Sequence, residues 1–98
     1  MESISLDNSL KLSFETLAHN LRLAVLKNNE IWVCRNEKLT NLLSFLEVDK
    51  GQLFKGRLQL FKSDREIDIQ VKNKFIATVS CDDFRKVLSK LNSSKPRS

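Results

Sequence analysis

The chain has 98 residues, of which 41% are hydrophobic and 30% charged, a composition typical of one folded domain that excludes a disordered chain. No apolar run reaches the ~18 residues of a membrane span, and the first ten residues lack the features of a secretory signal, so we expect an intracellular protein, cytoplasmic or nuclear. The net charge of +5 is uneven, because residues 1–49 hold five basic and seven acidic side chains whereas residues 50–98 hold twelve and five.

The first thirty residues allow two interpretations. Five apolar residues have helical spacing, namely Leu10, Phe14, Leu17, Leu21 and Val25. Leu12, Leu23 and Leu26 fall on the far side of such a helix, which would then be buried on two sides, as at a subunit contact. The alternative, which we favour, is a hairpin that turns at Asp7–Asn8 and puts alternate apolar residues on one strand face, with a helix beginning near Glu15.

The next segment predicts a strand and a helix. Residues 31–35, with the sequence IWVCR, are apolar and β-favouring. Asn36 is suited to cap a helix through the following EKLTNLLSFLE. In that helix the leucines form one apolar stripe, consisting of Leu39, Leu42, Leu43 and Leu46. We therefore expect one or two helices in the N-terminal half. The sequence shows no internal repeat.

Residues 53–80 predict a three-stranded antiparallel meander. Leu58 and Leu60 point one way, and Arg57, Gln59 and Phe61 point the other. A second run places Ile67, Ile69 and Val71 on one face, and a third places Phe75, Ala77 and Val79 on one side. Turns are expected at KSDR and KNK, where Asn73 tolerates a left-handed conformation.

A C-terminal amphipathic helix is predicted over residues 81–92. Ser80 is suited to its N-cap, and Asp82 and Asp83 complement the positive end of its dipole. An apolar stripe of Phe84, Val87, Leu88 and Leu91 should lie on the meander. The expected architecture is a single α+β domain over residues 1–92, mainly antiparallel sheet with helices on one face, followed by a flexible basic tail over 93–98.

The sequence offers little for catalysis. Cys34 and Cys81 form no CxxC motif or disulfide framework, and no ligand spacing joins them to the single histidine, His19. Cys81 lies just inside a helix N-terminus, but the adjacent aspartates oppose a thiolate. Gly51 and Gly56 do not form a phosphate loop. We therefore predict a protein without catalytic residues, cofactor or metal.

The basic residues of the second half are the strongest candidate site. Phe61 shares the outer sheet face with Arg57, and an aromatic ring flanked by cations is how a sheet holds single-stranded nucleic acid. Glu66 and Asp68 share that face and would repel phosphates, so a path along the turns, the edge strands and the basic tail is expected. The predicted nucleic-acid-binding residues are Arg57, Phe61, Lys62, Lys72, Lys74 and Arg85.

The predicted function is a small non-enzymatic module that binds single-stranded DNA or RNA through this basic surface and has no membrane partner. A solvated basic surface that protects strand edges would give the same charge pattern. The alternative function is a protein-interaction or assembly subunit, a homodimer or a component of a larger complex. It is favoured by apolar residues that one small core does not easily hold, namely Leu12, Leu23, Leu26, Trp32, Phe54 and Ile76.

In layout, residues 53–91 resemble two families in which three antiparallel strands precede a capped amphipathic helix. These are the single-strand-binding transcriptional coactivators and the small Alu-domain subunits of the signal recognition particle. The resemblance implies a dimeric nucleic-acid binder. It covers the order of elements alone, since no motif residue carries over, and is a fold-level analogy.

Overall fold

The computed structural model describes residues 2–6 and 9–93, except the side chains of residues 92 and 93. The described residues form eight strands and two helices, in the order β1 (Glu2–Ser5), β2 (Leu10–Thr16), β3 (Leu21–Lys27), β4 (Glu30–Glu37), α1 (Leu39–Glu47), β5 (Lys50–Leu53), β6 (Leu58–Ser63), β7 (Glu66–Val71), β8 (Lys74–Ser80) and α2 (Cys81–Ser93). Strands β1–β4 form sheet A and strands β5–β8 form sheet B, each antiparallel and in sequential order.

The chain thus repeats one ββββα unit, although its sequence shows no repeat. In both units the last hairpin turns on two residues with positive φ. These are Asn28 and Asn29, at 53° and 68°, and Lys72 and Asn73, at 53° and 66°, as expected for a two-residue type I′ turn. The repeat therefore lies in topology and turn geometry, and the expected left-handed conformation of Asn73 is confirmed.

The predicted helix in the first thirty residues is wrong, because this region is sheet. Leu12 of β2 lies opposite Val25 of β3, and Phe14 lies opposite Leu23. All four side chains are fully buried, since alternate residues of both strands face the core, which the helical interpretation could not satisfy. The favoured β1–β2 hairpin is confirmed by its register, while its turn at Asp7–Asn8 lies outside the described residues.

Helix α1 follows the last strand of sheet A in the chain and precedes the first strand of sheet B. It begins two residues later than the sequence predicts. Asn36, the predicted cap, is part of β4 instead. The Glu37 carboxylate accepts hydrogen bonds from the Lys38 backbone N–H, at 2.9 Å, and from the Asn41 amide, at 2.8 Å. The first turn of α1 is therefore held by a side chain that precedes the N-cap residue, Lys38.

The predicted meander is confirmed in β6–β8, to which the structure adds the short edge strand β5. The face predicted for Phe75 is wrong. Ile69 lies opposite Ala77, but Gln70 lies opposite Phe75, so Ile76 is an extra residue without a partner on β7. This bulge turns Phe75 outward, with 61% of its surface exposed, because one inserted residue reverses the alternation beyond it.

One hydrophobic core joins the two sheets and both helices. The predicted apolar stripe of α2 is buried, and the rings of Phe84 and of Phe14 in sheet A meet edge to face, with 5.1 Å between centroids. Three of the apolar residues that one small core was not expected to hold are buried in it, namely Leu12, Leu23 and Phe54. Trp32 and Ile76 are half-buried against this core. Neither helix of the described residues is long and apolar enough to cross a membrane.

The start of α2 provides a stability test. The Ser80 hydroxyl accepts a hydrogen bond from the Asp83 backbone N–H at 3.0 Å, which confirms the predicted cap. Replacing Ser80 by alanine should lower the free energy of unfolding by about 1 kcal/mol, because the N–H loses its acceptor. Urea denaturation measures this loss. Ser89→Ala on the exposed side of α2 is the matched control and should not destabilise the protein.

Candidate nucleic-acid interface

Sheet B is polarised along its strands. At one end, Lys55, Arg57, Lys72 and Lys74 lie close together, and we call these four residues the basic end. The proximity of Arg57, Lys72 and Lys74 follows from the register, because Val71 lies opposite both Leu58 and Lys74, and Lys55 lies in the loop two residues before Arg57. The Lys72 backbone N–H also donates to the Arg57 carbonyl at 2.7 Å. The opposite end of the sheet carries the carboxylates, with Asp49, Asp64 and Glu66 around one hollow that Arg65 also lines.

An exposed aromatic ring adjoins the basic end. On the outer face of sheet B, Gln59, Gln70 and Phe75 form one row across β6, β7 and β8. Phe61, the aromatic residue predicted for this role, lies one row further from the basic end. It is half-buried and lies opposite Asp68, whose carboxylate accepts a hydrogen bond from the Thr78 hydroxyl at 2.8 Å. Phe75 is thus the more accessible ring.

A groove of about 420 Å³ separates β4 of sheet A from the start of β6. It is lined by Ile31, Trp32, Val33, Cys34, Arg35, Arg57 and Leu58, and we call it the β4–β6 groove. It exists because β5 is short: Leu53, its last residue, lies opposite Leu60, so the first residues of β6 have no partner on β5. Strand β4 lies beside that uncovered segment.

The loop between β5 and β6 is held in an unusual conformation. Phe54 has a φ of 69° although it is bulky and only 8% exposed. Such a backbone costs about 1–3 kcal/mol and persists when its surroundings enforce it. Here the Gln52 amide donates to the Phe54 carbonyl at 3.0 Å, and the Gln59 amide donates to the Gly56 carbonyl at 3.1 Å. These two bonds hold the loop that leads into Arg57.

Two cation–aromatic contacts flank the groove. The Arg35 guanidinium lies 5.3 Å from the centroid of the Phe54 ring, and the Lys27 ammonium lies 5.1 Å from that of Trp32. Gly56 makes room for Arg35, because a Cβ at that position would lie 2.5 Å from the guanidinium Nη1 atom. A side chain at position 56 would therefore oblige the Arg35 guanidinium to shift.

The cations of the groove and of the basic end have no carboxylate partner in the described part of the chain. The ion pairs there are Arg22–Glu15, at 3.2 Å, and Lys90–Glu2, at 3.9 Å. Neither pair includes a residue of the groove or of the basic end. The charges of Arg35, Arg57 and the neighbouring lysines are consequently not neutralised within the protein, and an external anion would not compete with an internal one.

The structure brings together three of the six predicted site residues, namely Arg57, Lys72 and Lys74. Phe61 lies near them, half-buried. Arg85 is on α2, beside a hollow formed by residues of that helix alone. Lys62 is only 7% exposed, and its ammonium donates to the carbonyls of Val48 and Asp64. Lys62 is thus occupied inside the protein and is left out of the proposed interface.

The structure also adds residues that the sequence did not identify as a site, namely Lys27, Trp32, Arg35 and Phe75. Strand alternation could have placed Lys62 inside, since it shares parity with Leu58 and Leu60. No local pattern could have brought Trp32 and Arg35 next to Arg57, because β4 and β6 meet only in the folded chain.

The cysteines and the histidine lie apart. Cys34 is exposed in the groove, Cys81 is buried at the start of α2, and His19 is exposed between β2 and β3. The Cys81 thiol lies 3.9 Å from the Asp64 carbonyl oxygen. Within residues 2–6 and 9–93, no three His, Cys, Asp or Glu side chains are grouped so that they could hold a metal ion.

Comparison with known proteins found no relative: no family model, no curated protein and no solved structure matches the chain. The layout resemblance of residues 53–91 therefore stays a prediction. The protein is therefore described by its own fold. It has two ββββα units that share one hydrophobic core, and the second sheet has a cationic end.

Proposed function

We propose that this protein is a small non-enzymatic module that binds single-stranded nucleic acid, DNA or RNA, at the basic end and on the adjacent outer face of sheet B. One observation supports this proposal above the others. Arg57, Lys72 and Lys74 lie at the end of sheet B next to the row of the exposed Phe75, and they have no carboxylate partner among the described residues.

The arrangement suits an unpaired strand. Arginine and lysine contact phosphates, while a base stacked on an exposed phenyl ring contributes about 1–3 kcal/mol. The side-chain amide of Gln70, next to Phe75 in the same row, can reach the edge of such a base. A duplex keeps its base faces covered, so the ring favours single strands. The carboxylates at the far end of sheet B repel phosphates, so the strand should cross the basic end rather than run the length of the sheet.

The second candidate, a protein-interaction or assembly subunit, is favoured by one pair of residues. Ile31 and Phe75 occupy equivalent places after the type I′ turns of the two units, and they are 59% and 61% exposed. Both lie on the edge strand of a sheet, where a second chain could pair. Light scattering over a range of concentrations tests this function, and a constant monomer mass would count against a homodimer.

Titration of labelled single-stranded and duplex oligonucleotides tests the proposed function. The single strand should bind more tightly than the duplex of the same sequence. The logarithm of its binding constant should fall linearly with the logarithm of salt concentration, by about 0.7 for each phosphate neutralised. Four cations at the basic end would give a slope of about −2.8. No binding at micromolar protein in low salt would contradict the proposal.

A further inference from the structure

We infer that the β4–β6 groove binds one nucleotide unit, with the base against the Trp32 indole and the phosphate contacted by Arg35 and Arg57. The inference rests on the proposed function and deepens it, since Arg57 belongs to both the groove and the basic end. A strand held on sheet B would thereby extend towards sheet A, and one of its bases would leave the surface and enter the groove.

The size and lining of the groove fit such a unit. Its volume of about 420 Å³ falls within the ~300–1,000 Å³ of small-molecule sites. Its lining combines one tryptophan and two arginines with Ile31, Val33, Cys34 and Leu58, and includes no acidic residue. Such a lining complements a ligand in which a planar ring is linked to an anionic group.

Trp32 is placed for stacking by a β-bulge. Ile31 lies opposite Leu26 and Val33 lies opposite Val25, so Trp32 has no partner on β3. Its indole lines both the groove and a neighbouring hollow of about 340 Å³. Lys27, whose ammonium lies over the ring, lines that second hollow and not the groove. The Lys27 ammonium therefore does not occupy the groove, and Trp32 is the aromatic residue that a ligand in the groove would meet.

Arg35 is preorganised by its contacts. Its guanidinium lies on the Phe54 ring and across Gly56, so less side-chain freedom is lost when it binds a phosphate. The two carboxylates of β4 do not line the groove. Glu30 lines the second hollow, and Glu37 accepts hydrogen bonds at the start of α1. Arg35 and Arg57 are thus the charges that an entering ligand meets.

The wild-type protein carries its own probe, because Trp32 is its single tryptophan and it has no tyrosine. Two single-stranded oligonucleotides of equal length are compared, one with all its bases and one abasic throughout. Binding is followed by the anisotropy of an end label, and occupation of the groove by Trp32 emission. The base-containing strand should quench this emission as it binds, and the abasic strand should bind without quenching it.

The two readouts separate the two proposals. Anisotropy binding without quenching would overturn the groove inference and leave the proposed function in place. A nucleoside monophosphate is added as a third ligand. It presents the same base and phosphate as one unit of a strand, so it distinguishes a site for free nucleotides from a site for nucleic acid. If it quenches Trp32 while neither oligonucleotide binds, the groove is a site for free nucleotides and the proposed function fails. If no ligand changes either signal, both proposals fail.

Variants test the named side chains. Trp32→Ala should weaken binding of the base-containing strand about 5- to 150-fold and leave abasic binding unchanged. Arg35→Gln should weaken the quenching titration about 10-fold. Gly56→Ala should act in the same direction without changing any charge, because its Cβ displaces Arg35. Circular dichroism confirms that each variant is folded, and the exposed Arg35 variant keeps the test decisive if Trp32→Ala does not fold.

Arg65→Gln is the matched control for Arg35→Gln. It removes the same charge at the acidic end of sheet B, from an exposed side chain that lies outside the groove. Screening by salt should limit its effect to less than about 2-fold. Equal losses in the two variants would show that net charge alone drives quenching, and would overturn the inference.

Discussion

Replacing Arg57, Lys72 and Lys74 together by glutamine is expected to weaken binding of a single-stranded oligonucleotide roughly 100-fold at about 0.1 M salt. Each of these cations, once paired with a phosphate, releases about 0.7 of a counterion, and the release contributes more free energy when the surrounding salt is dilute. The triple variant should also show a salt dependence shallower by about 2 in the double-logarithmic plot. Anisotropy titrations at four or five salt concentrations measure both quantities.

A second triple variant removes the same charge from other places. Arg65, Arg85 and Lys86 are exposed and lie outside the basic end, so their replacement by glutamine should weaken binding less than about 3-fold. This variant also tests Arg85 as a predicted contact. Equal losses in the two triple variants would mean that the oligonucleotide responds to net charge over the whole surface, and the basic end would then have no special role.

Replacing Lys62 by methionine is expected to lower the free energy of unfolding by about 2–4 kcal/mol. The Lys62 ammonium, in a side chain that is 7% exposed, donates to two backbone carbonyls, at Val48 and Asp64. Methionine fills similar space but donates no hydrogen bond, so both carbonyls lose a charged partner. For a domain of this size, the midpoint of thermal unfolding should fall by roughly 10–30 °C.

Thermal and urea denaturation measure this effect, with Lys86→Met on the exposed side of α2 as a control that should change stability little. The salt slope of oligonucleotide binding by folded Lys62→Met should equal that of the wild type, because Lys62 reaches no external phosphate. A shallower slope would restore Lys62 to the binding surface. An unchanged stability would show that its two hydrogen bonds contribute nothing net.

The sequence predicts the second ββββα unit far better than the first, for a physical reason. Leu58 and Leu60 of β6, and Ile67, Ile69 and Val71 of β7, occupy alternate positions, and the turns contain Asp64 or Asn73, so the alternation and the turn residues indicate the same strands. In β3 the apolar residues Ala24 and Leu26 stand next to the core residues Leu23 and Val25, which obscures the alternation, and Ala24 is buried opposite Ser13 of β2. The turn between these strands has no Gly or Pro, although it closes through a Leu17 N–H to Asn20 carbonyl bond of 2.8 Å.

The candidate site was predictable only in its charges. The excess of lysine and arginine in the second half is a property of composition, and Arg57, Lys72 and Lys74 were identified from it. The aromatic partners were not, because Trp32 and Phe75 owe their positions to one-residue bulges in β4 and β8. A bulge forms where the strand register set by the turn differs by one residue from the register set by the core. The local alternation of apolar and polar residues does not show this difference.

Every strand within residues 2–6 and 9–93 pairs only with strands that are adjacent to it in the chain. Each sheet can therefore form one hairpin after another, with loop closures of a few residues, and the low contact order predicts rapid folding for a molecule so rich in strands. The contact between the segments farthest apart in sequence is that of α2 with β1, which joins the two ends of the described chain. We expect that contact to form late, so that its loss would accelerate unfolding more than it slows folding.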